Sequence, residues 1–156
     1  MGEGDERKVI ARNRRARFDY EILDSVEAGL VLVGPEVKSL RAGKANLSDA
    51  YGAIRGGEAF LVNAHISPYK EAARENVDPR RERKLLLHRS EIQRWRGKVA
   101  ERGLTLVPLE LYFKDGRAKV EIGLARGKQK GDKRRAIRER EVKREMDRAI
   151  RNERRS

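Results

Sequence analysis

The chain has 156 residues, with 38 Lys and Arg against 25 Asp and Glu, for a net charge of +13 at pH 7. Cysteine is absent, which excludes disulfides and thiolate metal sites, and the two histidines, His65 and His88, are too isolated in sequence to suggest a metal centre. The length suits one domain with an arm or tail, and no apolar run approaches the ~18 residues of a membrane span.

Residues 1–11 mix charge with Gly, lack the apolar core of a secretory signal and read, with residue 12, as a flexible N-terminal arm. NRRAR at 13–17 is a basic cluster ahead of the first strand, where Phe18, Tyr20 and Ile22 alternate with polar residues. A turn-like DSVEA leads to Gly29, and the apolar run 30–33 reads as a second, buried strand. Pro35 fits the first turn of a short helix that stops near Gly43. Val37 and Leu40 make its inner face, while Lys38, Arg41 and Lys44 point outward.

Residues 49–55 and 59–66 form a strand pair around Gly56-Gly57, a dipeptide that tolerates positive φ at both positions. Residues 67–82, with two prolines and many charges, read as a long loop, and 84–87 as a short apolar run. Ser90 suits the N-cap of a helix in which Ile92, Trp95 and Val99 share a face; Gly97 weakens it and Gly103 ends it. Residues 104–113 and 117–124 flank the hairpin dipeptide Asp115-Gly116. The body is therefore mainly β, about six strands with two flanking helices, and a small closed antiparallel barrel is the simplest way to remove its sheet edges.

After Ala125 the apolar pattern stops. Residues 126–156 hold 14 basic and 6 acidic residues, a net +8, so more than half of the charge excess sits in this tail. Val142, Met146, Ala149 and Ile150 make only a narrow apolar stripe there, and Arg140–Arg144 and Arg144–Arg148 are like-charge pairs. Alone, such a segment is expected to be mostly unfolded, and polyanionic RNA would relieve its repulsion.

Catalytic signatures are weak. No Ser–His–acid set has a recognisable spacing, and the Gly-rich stretch 54–58 lacks the Lys-Ser/Thr ending of a phosphate loop. The acids Glu21, Glu27 and Glu36 lie near one another in sequence as an acid-rich chain would place them by chance. Trp95, on an apolar helix face, reads as core; His65 reads as a strand-end residue and His88 as preceding or capping a helix. The basic residues carry more weight as three sets at strand or helix ends: Arg14, Arg15 and Arg17; Lys38, Arg41 and Lys44; Lys114, Arg117 and Lys119. On one barrel face they would neutralise phosphates. Aromatics at 5% of residues argue against a single-strand stacking platform and favour structured RNA, read through shape, phosphate and 2′-hydroxyl.

The motifs EVKSLRAGKANLSDAY at 36–51, DPRRERKLLLH at 78–88 and GLTLVPLELYFKDGRAKVEIGLARGK at 103–128 resemble the SsrA-binding protein family. NRRAR at 13–17, NAHISPY at 63–69 and DKR at 132–134 extend the resemblance over nearly the whole chain from Asn13 onward. It implies an oligonucleotide-binding-type barrel body over 13–125 that clasps the tRNA-like domain of transfer-messenger RNA. The tail, 126–156, would enter the empty messenger channel of a stalled ribosome, meet small-subunit ribosomal RNA at the decoding centre and become helical there. Elongation factor Tu would be part of the cytoplasmic delivery complex, with no cofactor, no membrane and no covalent chemistry. On matching positions, the resemblance assigns Glu27, Leu86 and Lys119 to the RNA, Asn13, Arg14, Arg15 and Arg41 to the same face, and Lys128, Asp132, Lys133 and Arg134 to the decoding centre. Phe18, Gly131 and Val142 depart from the family pattern, which often has His at the first, commonly an aromatic residue or His at the second and, in some members, Trp at the third. The rival reading is another basic ribosome-associated translation factor or a ribosomal protein, which would have no need of DKR after the last strand.

Overall fold

The computed structural model describes residues 7–128 and, in the tail, Lys143, Arg144, Met146 and Arg148, which are helical. Nine strands and three α-helices occur among the described residues: β1 (Lys8–Arg12), α1 (Arg14–Asp19), β2 (Tyr20–Leu30), α2 (Gly34–Arg41), β3 (Ala45–Asn46), β4 (Tyr51–Arg55), β5 (Glu58–Val62), β6 (His65–Ile66), β7 (Arg83–Leu86), α3 (Arg89–Arg102), β8 (Thr105–Lys114) and β9 (Arg117–Gly127). All strand pairs are antiparallel. The order β8-β4-β5-β7-β2-β9 closes through the β8–β9 hairpin, so six strands make the expected barrel. Asp115 and Gly116 have φ of 53° and 75°, the mirror-image turn that matches strand twist. The seam between β4 and β8 is a single pairing, Gly52 with Leu106. A Cβ on Gly52 would lie 2.7 Å from the Leu106 Cβ, so only glycine lets the seam close.

The expected flexible arm, 1–12, is corrected over its second half. Lys8–Arg12 is β1, paired with β8 beyond the point where β4 leaves it. Its apolar residues, Val9–Ala11, are too short a run among charges to announce a strand, yet Ile10 and Ala11 pack against the core. Residues 1–6 lie outside the described residues. The NRRAR cluster is also not an extended lead-in. It forms α1, capped by the Asn13 side chain, which accepts from the Ala16 amide.

The strand expected from 18 begins at Tyr20 and runs on through DSVEA to Leu30 as β2, whereas 31–33 of the expected second strand lie beyond it, with Val31 and Val33 exposed rather than buried. A bulge between Ile22 and Asp24 shifts the register against β9. Tyr20 and Ile22 pack outward under α1 with Ala16, Val107, Leu109 and Ala125, whereas Ala28 and Leu30 enter the barrel core. The bulge inverts which parity faces inward. A matching register shift at Pro108/Glu110 does the same in β8, where Leu106 and Leu111 face the core and Val107 and Leu109 face α1. The unbroken apolar run of β8 is thus buried on both faces.

The expected returning strand 59–66 breaks at Asn63, whose φ of 63° turns the chain; β6 then pairs with β3 in a separate two-stranded sheet. The long segment 67–82 contains a 3-10 turn at Lys70–Glu75, closed by two hydrogen bonds between Asn76 and the Tyr69 backbone (2.9 and 2.8 Å). The cap of α3 is His88 rather than Ser90: the Glu91 carboxylate accepts from the His88 amide at 3.1 Å, which leaves Ser90 inside the first turn. Gly103 ends α3 with φ 62°, and Trp95 is core as expected. The body also runs past Ala125. Arg126 and Gly127 continue β9, Arg126 pairs with Glu21, and the Lys128 amide donates to the Asp19 carbonyl at 2.9 Å.

One buried ion pair organises the barrel end. Glu36 in α2 and Arg83 in β7 have side chains 4% and 0% exposed, and Arg83 Nε donates to Glu36 Oε2 at 2.6 Å. The same guanidinium donates to the carbonyls of Ala64 and Pro79, while Glu36 Oε1 accepts from Arg81 and from the Val33 amide. Burial raises the Glu36 pKa, but the hydrogen bonds from Arg81, Val33 and Arg83 outweigh it and hold the carboxyl below its ordinary range. Glu36→Gln strands a buried guanidinium and is expected to cost about 3–5 kcal/mol in denaturant unfolding. A lowered folded-state pKa contributes stability that is complete above the ordinary carboxylate range and is lost as pH falls through the lowered value. The stability gap between the two proteins should therefore be full at neutral pH and narrow only in acid; a pH-independent gap would exclude the ionised pair as its source.

Candidate nucleic-acid interface

On the outer face of the barrel β7, β2 and β9 run side by side, and their registers align Leu86 with Gly29 and Gly29 with Lys119. Gly29 presents no side chain, so Leu86 lies across β2; a Cβ there would come within 3.2 Å of the Leu86 Cβ and 3.3 Å of its Cδ1. Leu86 is 55% exposed, an unusual state for the Leu of a barrel strand. Val37 from α2, Phe113 from β8 and Arg117 and Ala118 from β9 complete a groove of about 280 Å³. Its floor is apolar, its cations are Arg117 and Lys119, and no carboxylate among the described residues lines it. Such a groove can take a ribose or base against Leu86 and a phosphate at the cationic side.

Glu27 lies two residues along β2 from Gly29, on the same outer face and opposite Glu121 of β9. The Tyr112 hydroxyl, from β8, donates to Glu27 Oε2 at 2.5 Å, and Lys114 Nζ lies 3.5 Å from the same oxygen. The Tyr112 hydrogen bond, outweighing partial burial and aided by Lys114 and Lys119, holds the Glu27 carboxyl below its ordinary range. Burial first, and then the Glu27 carboxylate, push the Tyr112 hydroxyl well above the usual phenol range, so it remains a donor. Arg7 covers the Tyr112 ring at 4.3 Å and reaches Glu121 at 3.3 Å and Glu110 at 3.8 Å; Arg12 also pairs with Glu110. Glu27 is thus an ionised acceptor, held rigidly and partly open to solvent.

The other expected residues are less closely grouped. Lys38, Arg41 and Lys44 are exposed along and just beyond α2; Lys38 Nζ sits 5.4 Å over the Tyr69 ring. Arg14, Arg15 and Arg17 are exposed on α1. Arg14 lines a separate groove of about 510 Å³ between β1 and β3, and Arg15 lines a third with Asp19 and Tyr51. The three basic sets therefore do not meet in one pocket. Asn13 is buried, and its amide donates to the carbonyls of Pro108 (2.9 Å) and Leu47 (3.3 Å) while its side-chain oxygen caps α1. Those internal bonds use its polar atoms to fix Arg14 and its neighbours in place. Lys128 Nζ donates to the Arg17 carbonyl at 3.1 Å and so ties the end of β9 to α1. Asp132, Lys133, Arg134, Gly131 and Val142 lie outside the described residues.

Sequence reasoning missed Gly29, Tyr112, Arg7 and the Glu36–Arg83 pair. Only Arg83 left a signal: it shares strand parity with the buried Leu85, and an inward charge requires a partner.

The family model described as "SmpB protein" matches residues 10–152. An SsrA-binding protein of Anaeromyxobacter sp. (strain Fw109-5) is 61% identical over 99% of this chain and 94% of its own length. One from Thermosynechococcus vestitus is 58% identical over 94% of this chain and 97% of its own. A solved structure described as "tmRNA-SmpB: a journey to the center of the bacterial ribosome" is similar with a TM-score of 0.66 and 53% identity, covering 82% of this chain and 94% of that one.

The contact at Gly29 makes a local prediction. Rotation of the exposed Leu86 side chain relieves the contact to its Cδ1 but not the one to its Cβ, so the strands must give slightly and Gly29→Ala should cost about 1–3 kcal/mol of stability. It should also shift the Leu86 methyl resonances in an NMR spectrum. Unmoved methyls would mean that the missing Cβ does not set the Leu86 position.

Proposed function

The chain belongs to the SmpB family of SsrA-binding proteins, and from that premise we propose that it binds the tRNA-like domain of transfer-messenger RNA and serves in the rescue of stalled ribosomes. The observation that carries this reading to particular residues is the Leu86–Gly29–Lys119 row across three strands, with Glu27 beside it. Lys119 and Arg117 neutralise phosphate, Leu86 packs on a ribose or base, and Glu27 accepts a hydrogen bond from a 2′-hydroxyl or base edge. Arg14, Arg15, Arg17, Lys38, Arg41 and Lys44 add phosphate contacts around this centre. Asn13 acts through the α1 backbone it caps.

The tail then works apart from the body. Asp132, Lys133 and Arg134 meet the decoding centre in the vacant messenger channel, and elongation factor Tu shares the delivery complex in the bacterial cytoplasm. RNA is held and placed, not chemically changed, so no residue is assigned a catalytic role.

Lys119→Ala and Leu86→Ala are the direct tests, by titration of labelled tRNA-like RNA. Lys119→Ala should lower the magnitude of the salt slope by about 0.7–0.9 for the phosphate contact it removes. Leu86→Ala should weaken binding with the slope unchanged. Wild-type behaviour from both variants would place the RNA on another face.

Ending the chain after Lys128 should preserve the barrel and its RNA affinity while abolishing tagging on stalled ribosomes in a reconstituted translation system. A loss of RNA affinity of about a hundredfold in that truncated protein would mean that body and tail do not divide the work.

A further inference from the structure

Glu27 needs a reason to sit on an RNA-binding face. A carboxylate there repels phosphate unless it is neutralised, and it is useful as an acceptor only while ionised and aimed. Its surroundings meet both needs. Tyr112 is 0% exposed although its ring lies on the outer side of β8, because the Arg7 guanidinium covers it at 4.3 Å. Beneath that cover the hydroxyl donates to Glu27 at 2.5 Å. Arg7 also spans Glu121 and Glu110, the other two carboxylates of this face.

We infer that Tyr112 is the positioning residue of the RNA interface: its hydroxyl, roofed by Arg7, holds the Glu27 carboxylate ionised and aimed at the RNA. The inference rests on Glu27 being an RNA contact. Tyr112 itself touches no RNA in this arrangement. It fixes one oxygen of Glu27 and leaves the other free to accept, and Arg7 and Arg12 together offset the charge of the flanking acids Glu121 and Glu110. The groups facing Glu27 are Tyr112 and Lys114 from β8, Lys119 and Glu121 from β9, and Arg7 ahead of β1. Among these, Tyr112 makes the largest contribution to keeping the carboxyl ionised.

The experiment titrates full-length protein with a synthetic tRNA-like domain of transfer-messenger RNA from neutral pH down to below the ordinary glutamate value of about 4.3. The variants are Tyr112→Phe, Arg7→Met, Glu27→Gln and Tyr112→Phe combined with Glu27→Gln. The native protein should hold its affinity down through the ordinary glutamate range, because protonation of Glu27 is delayed. Tyr112→Phe should bind about three- to tenfold more weakly at neutral pH, the scale of one lost charge-assisted hydrogen bond partly replaced by water. Its acid loss of binding should begin at higher pH, near the ordinary glutamate value of about 4.3.

Arg7→Met removes an exposed residue and so preserves the fold, yet it opens the Tyr112–Glu27 bond to water. It should move the acid limb in the same direction by less. In the Glu27→Gln background, Tyr112→Phe should have no further effect on affinity or pH profile.

A uniform drop in Tyr112→Phe with an unmoved acid limb would reduce Tyr112 to packing and overturn the inference. So would wild-type behaviour of both Tyr112→Phe and Arg7→Met beside a weakened Glu27→Gln. Wild-type binding by Glu27→Gln would overturn the RNA contact itself, and with it the positioning role.

Discussion

A charge that cannot reach water must be answered inside the protein, and Arg83 imposes that condition on half of this fold. Its guanidinium, fully buried, is met by Glu36 from α2, the Ala64 carbonyl after β5 and the Pro79 carbonyl from the long loop. Three segments far apart in sequence are thereby held to β7. Glu36 also closes the start of α2 by accepting from the Val33 amide, so the bond that docks the helix also caps it. Replacing such a pair by apolar residues can be neutral for stability, so what it contributes here is better described as geometry. It sets α2 beside β7, and Val37 and Leu86 come to line one groove as a consequence.

The second constraint is topological. A six-stranded barrel has one inside, yet β2 and β8 bury residues on both sides. Bulges at matched places in these two strands exchange their inner and outer faces, which lets α1 cover one stretch of the wall while the rest remains open. Glycine completes the arrangement twice. Gly52 lets the seam close against Leu106, and Gly29 lets Leu86 lie flat across β2. The first absence of a side chain serves the fold and the second serves the surface.

On that surface a protein of net charge +13 gathers three carboxylates, Glu27, Glu110 and Glu121, among Arg7, Arg12, Lys114 and Lys119. Cations alone would attract any polyanion. Acids held in fixed directions turn attraction into recognition, since an acceptor selects a donor and repels a misplaced phosphate. Under the proposed function, the exposed basic residues of α1 and α2 would supply attraction over a wider area around this centre.

Much of this was determined by the sequence alone. Charge, the two turn dipeptides Gly56-Gly57 and Asp115-Gly116, the 3.6-residue pattern through Trp95 and the family motifs identify a basic RNA-binding barrel, and the family resemblance singles out Glu27, Leu86 and Lys119 as the candidate contacts that the proposal uses. These are local or compositional signals, and each acts within a few residues of itself. Tertiary structure alone decided the rest. Strand β2 reads as two strands because a bulge inverts its parity, and β1 reads as an arm because three apolar residues among charges do not show that Ile10 and Ala11 will meet the core. Glu36 reads as a chance acid because its partner is 47 residues away. Tyr112 and Arg7 lie 85 and 114 residues from the carboxylates they meet, Glu27 and Glu121. Only closure of the barrel brings β1, β2, β8 and β9 side by side, and the rigidity of Glu27 is a property of that closure.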